Sequence, residues 1–161
     1  MKKIISKFDI SIPSLGLGTW ELRGRKCRKV VRKSLELGYR HIDTAAMYEN
    51  ESEVGSGIID SRVDREEVFL TAKINTTGWT PSGGHGPLLQ NKTIIKSFEK
   101  SLFDLKTDYV DLLLIHWPKF ETNLGDMLEI MYEIKDSQKA IEIGVANFNS
   151  NLLNECINLG F

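Results

Sequence analysis

Four side chains spread along the chain could act together on one reaction: Asp43, Tyr48, Lys73 and His116. A tyrosine can hand a proton to an oxygen that is gaining negative charge, provided its pKa, about 10 in free peptides, is drawn towards the working pH. A nearby ammonium does this by stabilising the phenolate, and a carboxylate partner keeps that ammonium charged in a partly buried site. Lys73 and Asp43 suit those two parts. A histidine such as His116 can donate to the reacting oxygen or orient it. Reduction of a carbonyl by hydride, in which an alkoxide develops, is one reaction with these needs. Each residue also has an ordinary explanation when taken alone. Tyr48 could pack a loop, Lys73 could be a solvated charge at a strand end, His116 could be a satisfied core histidine beside Trp117, and Asp43 could cap a turn before Thr44.

Positioning them requires a scaffold, and hydrophobic periodicity outlines one. Residues 3–6 and 8–12 read as a small β-hairpin, with Phe8, Ile10 and Ile12 alternating with polar neighbours. A short strand is expected at 15–18. A helix at 25–37 carries Val30, Val31, Leu35 and Leu37, and Gly38 ends it. Strands are expected at 41–43, 68–72, 110–115 and 140–145. Helices are expected at 51–59 with Asn50 as N-cap, and at 92–105, 124–137 and 149–159. The strand at 110–115 is nearly continuous in apolar residues, as strands buried on both faces are, and only Asp111 interrupts it. Strand and helix thus alternate five times after the hairpin, which predicts a parallel α/β sheet in one domain over residues 1–161.

Alternation alone does not separate a doubly wound sheet from part of an eight-stranded barrel. A dinucleotide fold would carry G-x-G-x-x-G at its first strand-helix turn. Here Gly16 and Gly18 supply the first two glycines, but Glu21 stands at the third. Gly18, Asp43, Lys73, His116 and Asn147 fall at the carboxyl ends of successive predicted strands, where barrel enzymes assemble their sites. The one long connection, residues 74–91, includes Trp79 and His85 among glycines and prolines and would lie over that face as a lid.

The stretch from Gly38 through His41, Asp43 and Tyr48 to Asn50, Glu51 and Gly55 resembles the first signature of the aldo-keto reductases. Leu70-Thr71-Ala72-Lys73 and Leu114-Ile115-His116-Trp117-Pro118 extend the resemblance in the same chain order. It implies a (β/α) barrel of the TIM type, here a partial barrel of about five units preceded by the β-hairpin. It also implies reduction of small-molecule aldehydes or ketones with NADPH, NAD being the alternative cofactor. In that reading Asp43, Tyr48, Lys73 and His116 are catalytic. Gly18, Thr19, Asp43 and Asn147 hold the nicotinamide-ribose half of the cofactor. Trp20 walls the substrate pocket with Tyr48 and His116. Ala146 departs from the family, which usually has serine or cysteine there. One hydroxyl contact worth about 1 kcal/mol is therefore lost.

Eight strands close such a barrel, and five are expected here. The resemblance implies that the family's adenosine and phosphate site lies outside these residues, which alone would bind NADPH weakly and turn over little. Open sheet edges offer a route to self-association. The alternative to a reductase is a non-catalytic remnant acting as an interaction or structural module.

Other classes receive no support. A net charge of −1 with 27% charged and 41% hydrophobic residues gives no electrostatic attraction to nucleic acid or membrane. The basic run at 23–29 opens a helix on a near-neutral chain, and Asp64-Arg65-Glu66-Glu67 reads as a solvated turn. Cys27 and Cys156 lack metal-ligand spacing, so no metal site is expected. Two free thiols fit a reducing cytoplasm. His41 shares a strand face with Asp43 and is read as a supporting residue.

Overall fold

A computed structural model of the chain describes residues 3–5, 10–76, 91–118 and 123–161. Strands β1 (Lys3–Ile5) and β2 (Ser11–Pro13) form a separate antiparallel hairpin. Five units follow, each a strand and then a helix: β3 (Leu17–Gly18) and α1 (Gly24–Glu36), β4 (His41–Asp43) and α2 (Glu51–Ser61), β5 (Phe69–Ile74) and α3 (Asn91–Leu105), β6 (Val110–Ile115) and α4 (Leu124–Asp136), β7 (Ala140–Val145) and α5 (Ser150–Asn158). The five strands pair in parallel in the order β3-β4-β5-β6-β7. A doubly wound sheet would reverse its order part-way across. Sequential order, with each helix packed on the next, is the wall of a (β/α) barrel.

The two faces of this wall differ because side chains alternate along a strand. From β5, Leu70, Ala72 and Ile74 enter the hydrophobic core beneath the helices, together with Ile42, Leu113 and Ile115. Helices α1, α3 and α4 close that core with Val31 and Leu35, Phe98 and Leu102, and Met127 and Met131. The alternate residues, Thr71 and Lys73, meet the polar side chains of β4 on the opposite face. There Nε2 of His41 lies 3.0 Å from the Thr71 hydroxyl, and Lys73 bonds Asp43. Strand alternation thus drives the apolar half under the helices and leaves titratable groups on the concave side.

Two sequence expectations change on this scaffold. The run Asp64–Glu67 is not merely a solvated turn. Arg65 lies in the short 3-10 segment Arg65–Glu67, half-buried, and donates to Val68 O at 2.6 Å, Tyr109 O at 2.9 Å and Asp111 Oδ2 at 2.9 Å. Asp111, the odd polar residue of β6, also accepts from the Leu70 amide at 2.9 Å. Its carboxylate therefore ties the starts of β5 and β6 together. The second change concerns Asn50. It occupies the N-cap position of α2, but its side chain makes no cap hydrogen bond.

Helices α2 and α3 approach closely at Gly55. A Cβ there would lie 2.3 Å from the Leu105 carbonyl oxygen, a backbone atom that cannot rotate away. Gly55→Ala should therefore prise α2 from α3 and lower stability by about 2 kcal/mol, the usual scale of overpacking. Urea unfolding checks this, and an unchanged midpoint would mean that α2 shifts freely.

Glu51, at the start of α2, is buried, and its Oε1 has no hydrogen-bond partner among the described residues. Burial pushes its pKa up from 4.5 to about 7. The Ser101 hydroxyl and Lys100 oppose the shift, and Asp104 reinforces it. The native state thus binds a proton that the unfolded chain releases. The associated stability is complete below the unfolded value and fades as pH rises through about 7. The loss is on the order of 3 kcal/mol. Glu51→Gln should flatten the fall in stability between mildly acidic and mildly alkaline pH, as read from urea midpoints. Parallel curves for the two proteins would refute this account of Glu51.

Candidate active site

The carboxyl ends of the strands gather the titratable groups. Asp43 closes β4, and Tyr48 follows in the 3-10 turn Ala46–Tyr48. Lys73 lies near the end of β5, and His116 immediately follows β6. An ammonium has three N–H donors, and Lys73 places all of them. Nζ donates to the Asp43 carboxylate, to Thr44 O at 3.2 Å and to the Tyr48 hydroxyl oxygen at 3.3 Å. Lys73 is buried while Asp43 is half-exposed, so the pair is sealed on the lysine side and open on the other.

A cavity of about 560 Å³ opens over these groups, lined by Trp20, Met47, Tyr48, Lys73, His116, Trp117, Ala146 and Asn147. Its walls are aromatic. The Tyr48 ring lies 4.9 Å from Trp20 and 5.6 Å from His116, both edge-on, and His116 stacks on Trp117 at 6.2 Å. His116 is buried, and its Nδ1 has no partner among the described residues. It is therefore not a satisfied core histidine. Burial, and then the charge on Lys73, push its pKa down to about 4, against a smaller opposing effect of Asp43. The ring is neutral at ordinary pH.

The aldo/keto reductase family model matches residues 14–159. Methylglyoxal reductase DkgB of Escherichia coli O157:H7 is 39% identical over 150 residues, covering 92% of this chain and 52% of the relative. The 9,11-endoperoxide prostaglandin H2 reductase of Trypanosoma cruzi is 42% identical over 150 residues, covering 91% of this chain and 48% of the relative. The solved aldose reductase of Schistosoma japonicum superposes with a TM-score of 0.84 at 29% identity, covering 98% of this chain and 57% of the other. The chain belongs to the aldo/keto reductase family. Its fold is the partial TIM-type barrel of about five units expected from the sequence. It spans about half the length of the curated relatives it matches.

Within this family member, the remaining expected residues lie as follows. Gly18 ends β3 at the surface, and apart from its chain neighbours no heavy atom of the described residues lies within 4 Å of where a Cβ would stand. Thr19 is fully buried. Its hydroxyl and its amide both donate to Asp43 O at 3.0 Å, so its side chain is spent inside the protein. Asn147 is exposed, adopts φ +63°, and donates from Nδ2 to His116 O at 2.7 Å. Ala146 lines the cavity and brings no side-chain polar atom. Trp79 and His85 lie outside the described residues. Among the described residues no cluster of side chains suits a metal ion. Cys27 and Cys156 are free and buried, and burial pushes the Cys27 thiol up to about 11.

Sequence reasoning missed Met47 and Trp117 as lining residues. Nothing in their local spacing marks them, because they reach the cavity through the turn at Ala46–Tyr48 and the chain beyond β6.

Proposed function

We propose that this chain carries the proton-donating centre of an NADPH-dependent carbonyl reductase acting on small aldehydes or ketones, with NADH as the alternative coenzyme. The observation that carries the reading is the three-way use of Lys73: one ammonium neutralised by Asp43, fixed by a carbonyl and donating to the phenol of Tyr48. Tyr48 is then the acid. Its proton passes to the alkoxide oxygen as that oxygen gains charge, and the Lys73 N–H stabilises the phenolate left behind. His116 donates from a neutral ring and fixes where the carbonyl oxygen sits. The aromatic walls favour an apolar body on the substrate.

A nicotinamide group fits the residues at this end of the sheet. Gly18 leaves open space beside its Cα, Asp43 is half-exposed, and the Asn147 amide lies at the cavity edge. Gly18, Asp43 and Asn147 would hold the nicotinamide-ribose half, and Thr19 would act by fixing the turn between Gly18 and Trp20. When bound, the cofactor supplies the hydride. The test is turnover of an aromatic aldehyde by the full-length protein with NADPH and with NADH. No turnover with either coenzyme over a panel of aldehydes and ketones, in a folded protein, would refute the proposal.

The neutral state of His116 adds a pH expectation. With its pKa near 4, His116 does not titrate over the neutral range. His116→Gln should lower kcat/KM by about 10²-fold, the low end of a lost donor to a developing oxyanion. It should leave the shape of the profile unchanged through the neutral range. Loss of an inflection near pH 6 to 7 in the variant would show that His116 titrates during turnover.

A further inference from the structure

Asn50 is buried to 1% exposure and stands two residues after Tyr48, yet it makes no cap bond to its own helix. Its amide is spent across the sheet instead. Oδ1 accepts from the Thr44 hydroxyl at 3.1 Å, and Nδ2 donates to Thr19 O at 2.8 Å and to Leu22 O at 3.0 Å. Thr19 and Leu22 are the two ends of one turn, closed by Leu22 N donating to Thr19 O at 3.1 Å. Trp20 and Glu21 form its centre.

That turn would not hold this shape unaided. Glu21 has φ +62°, the left-handed region, which costs a non-glycine residue about 1–2 kcal/mol. Trp20 is 46% exposed, so burial alone does not fix its ring. Its place 4.9 Å from the Tyr48 ring, with the Arg23 guanidinium carbon 6.0 Å from its centroid, depends on where the backbone beneath it is held. Both N–H groups of Asn50 grip that backbone, one at each end of the turn. The Thr19 and Leu22 carbonyls, which only accept, decide which way the amide faces, and the Thr44 hydroxyl supplies the donor that the buried Oδ1 then needs. Thr44 also offers its carbonyl to Lys73. The chain of contacts therefore runs from the Lys73 ammonium through Thr44 and Asn50 to the turn that carries Trp20.

Resting on the reductase reading above, we infer that Asn50 is a positioning residue: it clamps the Thr19–Leu22 turn to the segment bearing Tyr48, and so sets the gap between the Trp20 wall and the acid. Tyr48 is separately held by Lys73. Release of the clamp should therefore loosen the pocket wall while the proton-donating group stays in place.

Two variants of the full-length protein test this. Asn50→Asp replaces the gripping NH2 with an oxygen that repels both carbonyls. Thr44→Val keeps the shape and leaves the buried Oδ1 of Asn50 without its donor, which weakens the seat of the clamp, so it serves where Asn50→Asp fails to fold. The first readout is Trp20 emission and anisotropy, with every other tryptophan, Trp79 and Trp117 among them, replaced by phenylalanine. The second is the split between KM and kcat for an aromatic aldehyde in the protein with its tryptophans intact. The clamp predicts lower Trp20 anisotropy in both variants. It also predicts that KM rises about tenfold while kcat holds within about twofold, the pattern of lost binding rather than lost chemistry. Unchanged Trp20 anisotropy in a folded variant overturns the inference, as does a fall in kcat at constant KM. If the protein reduces no carbonyl, the proposed function fails, and the Trp20 signal still decides whether Asn50 sets the turn.

Discussion

Tyr48→Phe should lower turnover of an aromatic aldehyde by roughly 10²–10⁴-fold, the contribution usual for a positioned general acid. The substitution removes one oxygen and leaves the ring, so the edge-on contacts with Trp20 and His116 persist. Lys73 loses the acceptor at 3.3 Å but keeps Asp43 and Thr44 O. Stability and coenzyme binding should therefore move little, and the effect should appear in kcat. Steady-state kinetics beside a coenzyme titration separates the two. A variant that retains more than about a tenth of wild-type kcat would mean that another group or water delivers the proton, because a lost general acid costs at least about a hundredfold.

Much of this site was legible because its chemistry sits in short local motifs. Asp43, Lys73 and His116 each lie at or just beyond the end of a strand whose apolar pattern announces it. Strands β4, β6 and β7 fall where periodicity put them, at 41–43, 110–115 and 140–145. Helix ends were legible where glycine follows, as at Gly38 with φ +97° and Gly160 with φ +88°. What was not legible depends on contacts distant in sequence. Arg65 looks like any charge in an acidic turn until β6 brings Asp111 and Tyr109 to it. Asn50 has the residue type and position of a cap, and local rules assign it that role. The acceptors that outbid the helix are 31 and 28 residues away. Glu51 drew no separate reading from the sequence; it opens α2 and is buried where α3 packs against that helix. In each case the surroundings of the side chain are set by elements distant in sequence, and only their assembly decides them.

Lys73→Met tests whether the acid and its ammonium work as one unit. Methionine keeps roughly the length and apolar stem of lysine and removes the charge. Asp43 then faces the site without its partner. Breaking a buried ion pair by removing one member costs about 3–5 kcal/mol, and less where one partner keeps water. The Asp43 side chain is 33% exposed, so a loss nearer 2 kcal/mol is expected, seen as a lower urea midpoint. Turnover should fall by about as much as in Tyr48→Phe, since the phenolate left after proton transfer no longer has an N–H beside it. The decisive variant is the double one. If Lys73 acts through Tyr48, then Tyr48→Phe/Lys73→Met should be no slower than the worse single variant, because residues that act as a unit are strongly non-additive. If the two losses multiply instead, Lys73 has a role that does not pass through the tyrosine. The ammonium would then be acting directly on substrate or coenzyme, and the three contacts it makes in this structure would be the resting arrangement rather than the working one.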